Sequence, residues 1–376
     1  MNIIITGDFF ISDEFKNKPL IDKSVIDFFQ AADCRIVNLE APLTSENPKN
    51  KILKSGPHLR MSEDAVMPFL KQLKVYGVTL ANNHILDYGA KGLADTFAAL
   101  KRNNIHYVGG GNNLAEANKP LTIEQDGMKV AILNFCENEW SIAEDDKPGA
   151  NPMDIIDNTN QIKAAKATHD KVISIIHGGH EYYHLPSPRM VKQYRFYADN
   201  GADAIVGHHT HCIGGYEIYN EVPIIYSLGN FIFTRENKNP LWYSGLVAKL
   251  NLKPNKPIQF TLKATSQTPI NYNLSLKEDE KNIFNDIKNF NRIIQDKELL
   301  AKEWHTFITS REKNYHKKLS PMSVLTNRYL KYVFYKFIFN QLYLNNNYLA
   351  TFLNILRCEA HSDALIYTIR RLLYNK

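Results

Sequence analysis

Short apolar runs rich in β-branched residues alternate, over the first 230 positions, with segments of helical spacing. The runs NIIIT (2–6), CRIVN (34–38), VTLA (78–81), VISII (172–176), ADAIV (202–206) and VPIIYS (222–227) read as strands covered on both faces. Each stops in residues able to hold a metal or a polar substrate: Gly7-Asp8, Leu39-Glu40, Asn82-Asn83-His84, His177 to Glu181, His208 to His211, and Leu228-Gly229-Asn230. Helical spacing appears at 22–32, 63–73, 90–104 and 187–201. This alternation predicts an α/β fold, a sheet flanked by helices, with ligands gathered at the carboxyl ends of the strands. Residues 121–135 read as a hairpin turning at Asp126-Gly127, which makes the sheet mixed. Strands at 244–252 and 258–265 close the fold.

Beyond that point the texture changes. Residues 275–319 are helix-periodic, charged on one side and free of Gly and Pro. The aromatic-rich stretch 327–347 is interrupted by Lys331, Lys336 and Gln341; it is too polar to span a bilayer, and either packs on the main domain or lies on a membrane surface or a partner. Two domains are therefore expected, 1–270 and a helical extension, 271–376. The net charge of +6 is −1 over 1–274 and +7 over 275–376. Solvated helix faces explain such a basic excess, and so does contact with an anionic polymer or membrane.

At 376 residues, 44% hydrophobic and 22% charged, the chain is of ordinary globular composition. Cys34, Cys136, Cys212 and Cys358 form no CxxC pair, which fits reduced thiols in a cytoplasmic protein and argues against a zinc finger. MNIIITGDFF has no basic n-region and does not read as a secretory signal. No P-loop and no G-x-S-x-G elbow occurs, and nothing in the motifs points to nucleic acid. HGGHEYYH (177–184) would need a helix to act as a zinc-protease motif, and Gly178-Gly179 oppose one.

Six of the thirteen histidines fall between residues 177 and 211. His209 and His211 form an H-x-H pair that, on extended backbone, points both rings to one side. Mixed imidazole, carboxylate and amide donors without thiolate suit Mn, Fe or Zn. Asp8, Glu40, Asn83, His177, His209 and His211 suffice for one or two such ions, enough for hydrolysis at a two-metal centre. His84 is placed to protonate a leaving group, with Asp87 three residues on to orient it.

Taken in order, TGDFF, NLEAPLT, LANNHILDYG, HGGHEY, VGHHTH and YSLGNFIF resemble the CapA family of capsule and poly-gamma-glutamate synthesis proteins, built on the calcineurin-like metallophosphoesterase fold. The likeness covers roughly residues 2–235. It implies a four-layered α/β/β/α sandwich with Asp8 as the first metal-binding aspartate, Glu40 as the bridging carboxylate, Asn83 as the metal-binding asparagine and His84 as the general acid. His177, His209 and His211 take the remaining imidazole places, and Arg60, Glu181, His208 and Asn230 contact substrate. Two departures stand out: Phe9-Phe10 follow Asp8 where the broader superfamily has D-x-H, and Gly178 replaces a bulky aromatic. The expected function is a metal-dependent hydrolase acting on a phosphoester or amide of an acidic, glutamate-like or cell-envelope molecule. The alternative is a subunit of capsule or poly-gamma-glutamate biosynthesis that grips an anionic polymer without cutting it.

Overall fold

In the first strand, β1 (Asn2–Phe10), eight of nine residues are buried, as the isoleucine run requires of a strand with neighbours on both edges and both faces. The computed structural model describes residues 1–54, 56–319, 328–334 and 346–357, with positions 336, 369 and 373. The chain continues through β2 (Cys34–Leu39), β3 (Gly77–Thr79), β4 (His106–Val108), β5 (Gly110–Gly111), β6 (Leu121–Gln125), β7 (Met128–Cys136), β8 (Gly149–Ala150) and β9 (Lys171–His177). Then come β10 (Ala204–His208), β11 (Tyr216–Tyr219), β12 (Val222–Ile225), β13 (Asn230–Phe233), β14 (Ser244–Asn251), β15 (Gln259–Gln267) and β16 (Leu274–Leu276). Eight helices accompany them up to residue 319: α1 (Lys23–Gln30), α2 (Glu63–Gln72), α3 (Gly89–Arg102), α4 (Leu114–Ala117), α5 (Ile155–Lys166), α6 (Pro188–Asp199), α7 (Lys281–Gln295) and α8 (Lys297–Leu319).

Among the described residues, one sheet has the order β16-β15-β14-β1-β2-β3-β4 with β13 also on β1, and a second has the order β11-β12-β10-β9-β7-β6. Along one edge of β1, residues 2–6 pair antiparallel with β14 while Asp8, Phe9 and Phe10 pair parallel with β13. Asp8 and Asn230 are register partners there. In the second sheet His177 and His208 are register partners. The hairpin turns where expected, with positive φ at Asp126 and Gly127.

Side-chain alternation along the strands divides the core into layers. Ile4, Val37 and Val78 face Val25, Phe29, Val66 and Leu93 of α1, α2 and α3. Ile3, Ile5 and Ile36 meet Val130, Ile132, Ile173 and Val206 between the two sheets. Leu133, Ile176 and Ile205 face Ile162, Met190, Tyr194 and Tyr197 of α5 and α6. The result is the four-layered α/β/β/α sandwich expected.

The compact unit runs from Met1 to Lys302 and a second unit from Glu303 to Lys376, so the boundary expected at 270 falls inside the first. β16 continues its sheet, and α7 sets Ile287 into the inter-sheet core and Ile293 and Ile294 into the outer one. Within the helix-periodic run 275–319, α7 and α8 are separated at Asp296, whose Oδ1 accepts from Glu298 N and Leu299 N at 3.0 Å and so caps α8. The second unit contains helices Arg328–Val333 and Asn346–Arg357. Much of the aromatic stretch 327–347, and Cys358, lie outside the described residues. No described helix is long and apolar enough to cross a membrane.

Candidate metal centre

The donors arrive on strand ends. Asp8 lies on β1 where its register shifts; Glu40 follows β2; Asn83 and His84 occupy the turn after β3; His177 ends β9; His209 and His211 follow β10. Carboxyl ends of parallel strands from both sheets thus meet at one rim. Asp8 and Glu40 are 0% exposed, His177 2%, His211 5%, and His84 and His209 6%; Asn83 is half-buried.

His211 holds the two carboxylates together, with Nδ1 3.3 Å from Asp8 Oδ2 and Nε2 3.5 Å from Glu40 Oε1. His177 Nε2 lies 3.0 Å from Asn83 Oδ1, 3.1 Å from His209 Nδ1 and 3.9 Å from Glu40 Oε1. Glu40 is therefore common to two donor groups, Asp8-His211 and Asn83-His177-His209. Ligand atoms of Asp8, Glu40 and His211 all fall within 4.8 Å of one another, as do those of Asp8, His177 and His208.

Electrostatics marks the same place. Burial, then the neighbouring Asp8, pushes the Glu40 carboxyl well above its usual range. Burial opposes ionisation of Asp8 too, yet the hydrogen bond and charge of His211, with His177 and His208 behind it, hold Asp8 well below its usual range. Burial and His209 keep His177 neutral, far below an ordinary imidazole. For His211 burial is outweighed by Asp8, and its pKa rises. Both Glu40 oxygens are buried without a hydrogen-bond donor; a bond to Asp8 exists only when one of the two carries a proton. A buried carboxylate without donors is costly. A divalent cation would satisfy it, and the oxygen and imidazole donors present are of the kinds that hold one.

Several expectations need adjustment. The H-x-H pair does not stand on extended backbone: His209 and His211 have φ of 91° and 53°, because β10 ends at His208 and the chain turns there. Both rings still reach the other donors, His209 Nδ1 3.1 Å from His177 Nε2 and His211 Nδ1 3.3 Å from Asp8 Oδ2, with ring centroids 6.2 Å apart. Such conformations are costly for non-glycine residues and concentrate at functional sites. His208 is 0% exposed, with Nε2 2.8 Å from Thr6 O and Nδ1 buried without a hydrogen-bond partner beside Asp8 and His177. Asn230, 2% exposed, accepts at Oδ1 from His211 Nδ1 at 2.9 Å and donates to Trp242 O at 2.9 Å, so it orients a donor. Arg60 is held by Glu46 O and lies 5.5 Å over the Tyr88 ring. Glu181 is exposed at the rim, near enough for its charge to raise Glu40 and His211.

His84 Nδ1 lies 2.7 Å from Asp87 Oδ2, the pairing expected. Burial lowers the His84 pKa. Sequence reasoning missed Asn38, whose Nδ2 donates to Asp8 Oδ1 at 2.7 Å from inside what reads as a plain strand. It also missed Lys54, which bonds Asp87, and an aromatic wall in which Trp242 and Tyr182 lie 4.7 and 6.4 Å from the His211 ring. The NFIF run after Gly229 was the available signal for that wall's Phe233.

The family described as Bacterial capsule synthesis protein PGA_cap matches residues 2–235, a span that contains every donor from Asp8 to His211. The chain belongs to this capsule synthesis family. It is 37% identical over 206 residues to the capsule biosynthesis protein CapA of Bacillus anthracis, covering 52% of this chain and 49% of that one. To the PGA biosynthesis protein CapA of Bacillus subtilis (strain 168) it is 34% identical over 223 residues, 58% of each. The chain thus spans about half the length of these curated relatives. Similar solved structures include a hypothetical protein from Thermus thermophilus, 14% identical with a TM-score of 0.47 over 71% of this chain and 100% of that one. A phosphatase from Mycoplasma pneumoniae is 15% identical, with a TM-score of 0.43 over 77% and 98%.

Proposed function

We propose that this capsule synthesis family member is a metal-dependent hydrolase acting on a phosphoester, or on an amide, of an acidic, glutamate-like or cell-envelope molecule. The observation that carries the reading is the Glu40 carboxylate, fully buried and without a donor, between two sets of ligand atoms. Asp8, Glu40 and His211 would hold one ion; Glu40, Asn83, His177 and His209 would hold a second. Bound there, divalent ions polarise a substrate oxygen and acidify water at neutral pH.

The chain's own residues supply the rest. Asn38 fixes one oxygen of Asp8 and Asn230 fixes Nδ1 of His211, so each presents a defined atom to the cavity. Asp87 accepts from His84 Nδ1, which leaves Nε2 as the nitrogen that moves a proton. Since burial keeps His84 neutral at rest, the proton it delivers to the leaving group is one it takes up as water attacks. Tyr182 and Trp242 stand beside the His211 ring as apolar neighbours of the donors. The unpaired, buried Cys34, Cys136 and Cys212 support a reducing, cytoplasmic setting.

The test is a panel of phosphoesters and γ-glutamyl amides assayed with metal-loaded and chelator-treated protein. Hydrolysis of at least one class, lost on chelation and restored by Mn, supports the reading; no turnover with a fully loaded protein rejects it. One observation favours the polymer-gripping alternative. Phe10, where a further donor is expected, stacks on Phe233 at 4.9 Å, leaving the Asp8 side of the site with fewer protein ligands. Binding of polyglutamate that persists in chelator and weakens with salt would mark that alternative.

A further inference from the structure

We propose that Lys54 is a positioning residue for His84, acting through Asp87. The inference deepens the hydrolase reading and rests on it. Lys54 belongs to the connection between β2 and α2, most of which faces solvent: Leu53 beside it is 64% exposed, and Lys49, Lys51, Gly56 and Pro57 are exposed. The Lys54 side chain is only 2% exposed. A lysine on a surface loop that turns inward gives up hydration and rotamer freedom, so it needs a partner that compensates.

That partner is the carboxylate that aims the catalytic ring. Asp87 is 0% exposed. Its Oδ1 takes the Lys54 ammonium; its Oδ2 accepts from Leu59 N at 2.6 Å and faces His84 Nδ1 at 2.7 Å. The Asp87 carbonyl accepts from Ile52 N at 3.2 Å. Three bonds from the connection and one from His84 therefore converge on a single residue, and Lys54 Nζ stands 3.2 Å from His84 Nδ1 itself. With the ammonium occupying Oδ1, the carboxylate cannot rotate to offer that oxygen to the ring. His84 then has one acceptor in one direction, which fixes Nδ1 as the anchored nitrogen and Nε2 as the one available for proton transfer. Neither Asp87 nor Lys54 is among the proposed metal donors, so the arrangement separates aiming the proton carrier from holding the ions.

The experiment uses the full chain as wild type, Lys54→Met and Lys54→Arg, each loaded with Zn. Three quantities are read: bound metal per chain, the His84 Nδ1–H resonance by 15N-edited NMR, and kcat against KM on whichever substrate the wild type cleaves. The expected result is unchanged metal, a shifted or broadened His84 resonance in Lys54→Met with kcat about tenfold lower and KM within about twofold, and recovery of both signals in Lys54→Arg. A Lys54→Met protein with wild-type resonance and kcat overturns the proposal. Loss of metal together with the resonance also overturns it, because Lys54 would then support the rim as a whole. If the wild type cleaves nothing, the hydrolase reading fails, while the His84 resonance still decides the role of Lys54.

Discussion

Replacing Glu40 by Gln should move stability in opposite directions with and without metal. In the metal-free protein both oxygens of this fully buried carboxylate lack donors and face Asp8. Either the group stays ionised without a hydrogen bond, with the His211 ring 3.5 Å away as its nearest cationic neighbour, or it binds a proton at a pH where an ordinary glutamate would not, and both options cost free energy. An unsatisfied buried polar group costs about 1–3 kcal/mol. Glutamine keeps the shape, removes the charge and can donate to Asp8. With an unfolding entropy of about 2.1 cal/mol/K per residue over the Met1–Lys302 unit, metal-free Glu40→Gln should melt about 2–5 °C above wild type. Manganese at 100 times its Kd stabilises wild type by about 2.7 kcal/mol, a rise of about 4 °C on the same scale. Loss of a donor common to both ions should weaken binding about 100-fold or more, so the variant should gain less than about 1 °C at that concentration. Differential scanning calorimetry, with and without chelator, reads both numbers. A metal-free variant that melts below wild type, or one that keeps the full manganese shift, would refute the reasoning.

Four further outcomes are expected. His84→Ala should bind metal as wild type does, by inductively coupled plasma analysis, while kcat falls about 100-fold or more. Metal affinity should rise with pH: the raised pKa values of Glu40 and His211 mean that binding displaces protons from both, whereas the lowered His177 is already neutral. Titration calorimetry in buffers of different ionisation enthalpy should show proton release. The same shifts fix the metal-free stability curve: the Glu40 and His211 contributions are present below the ordinary values of 4.5 and 6.5 and are lost as pH rises through the raised ones. The Asp8 contribution is present above 3.8 and is lost as pH falls. Finally, Gly7→Ala should destabilise by about 3 kcal/mol or more in urea, because its Cβ would lie 1.9 Å from the Gly229 carbonyl oxygen at the contact that brings β13 beside Asp8.

The strand-end clusters were legible because β-branched runs mark the buried strands, and the donors lie within about five residues of where each run ends. Helix α5 was not, since its buried face is Asn158, Thr159, Ile162 and Ala165 while Ile155 and Ile156 face solvent; no apolar stripe announces it. The left-handed turn at His209 and His211 was read as extended because H-x-H spacing alone does not encode φ. Asn38 and Lys54 were invisible for a shared reason: each looks like its surroundings, a strand residue and a surface lysine, and only the third dimension sets it against a buried carboxylate. The 270 boundary failed because apolar spacing in 281–295 fits a self-contained helix as well as one that docks on a sheet.

The claim on which everything rests is that one cavity gathers Asp8, Glu40, Asn83, His177, His209 and His211 around divalent cations. Anomalous diffraction at the manganese edge, from crystals of the Mn-loaded protein, tests it most directly. The account predicts at least one strong peak within bonding distance of Glu40 and His211, and on full loading a second against Asn83 and His177. Manganese bound elsewhere, or a loaded protein with no peak between those side chains, would contradict it.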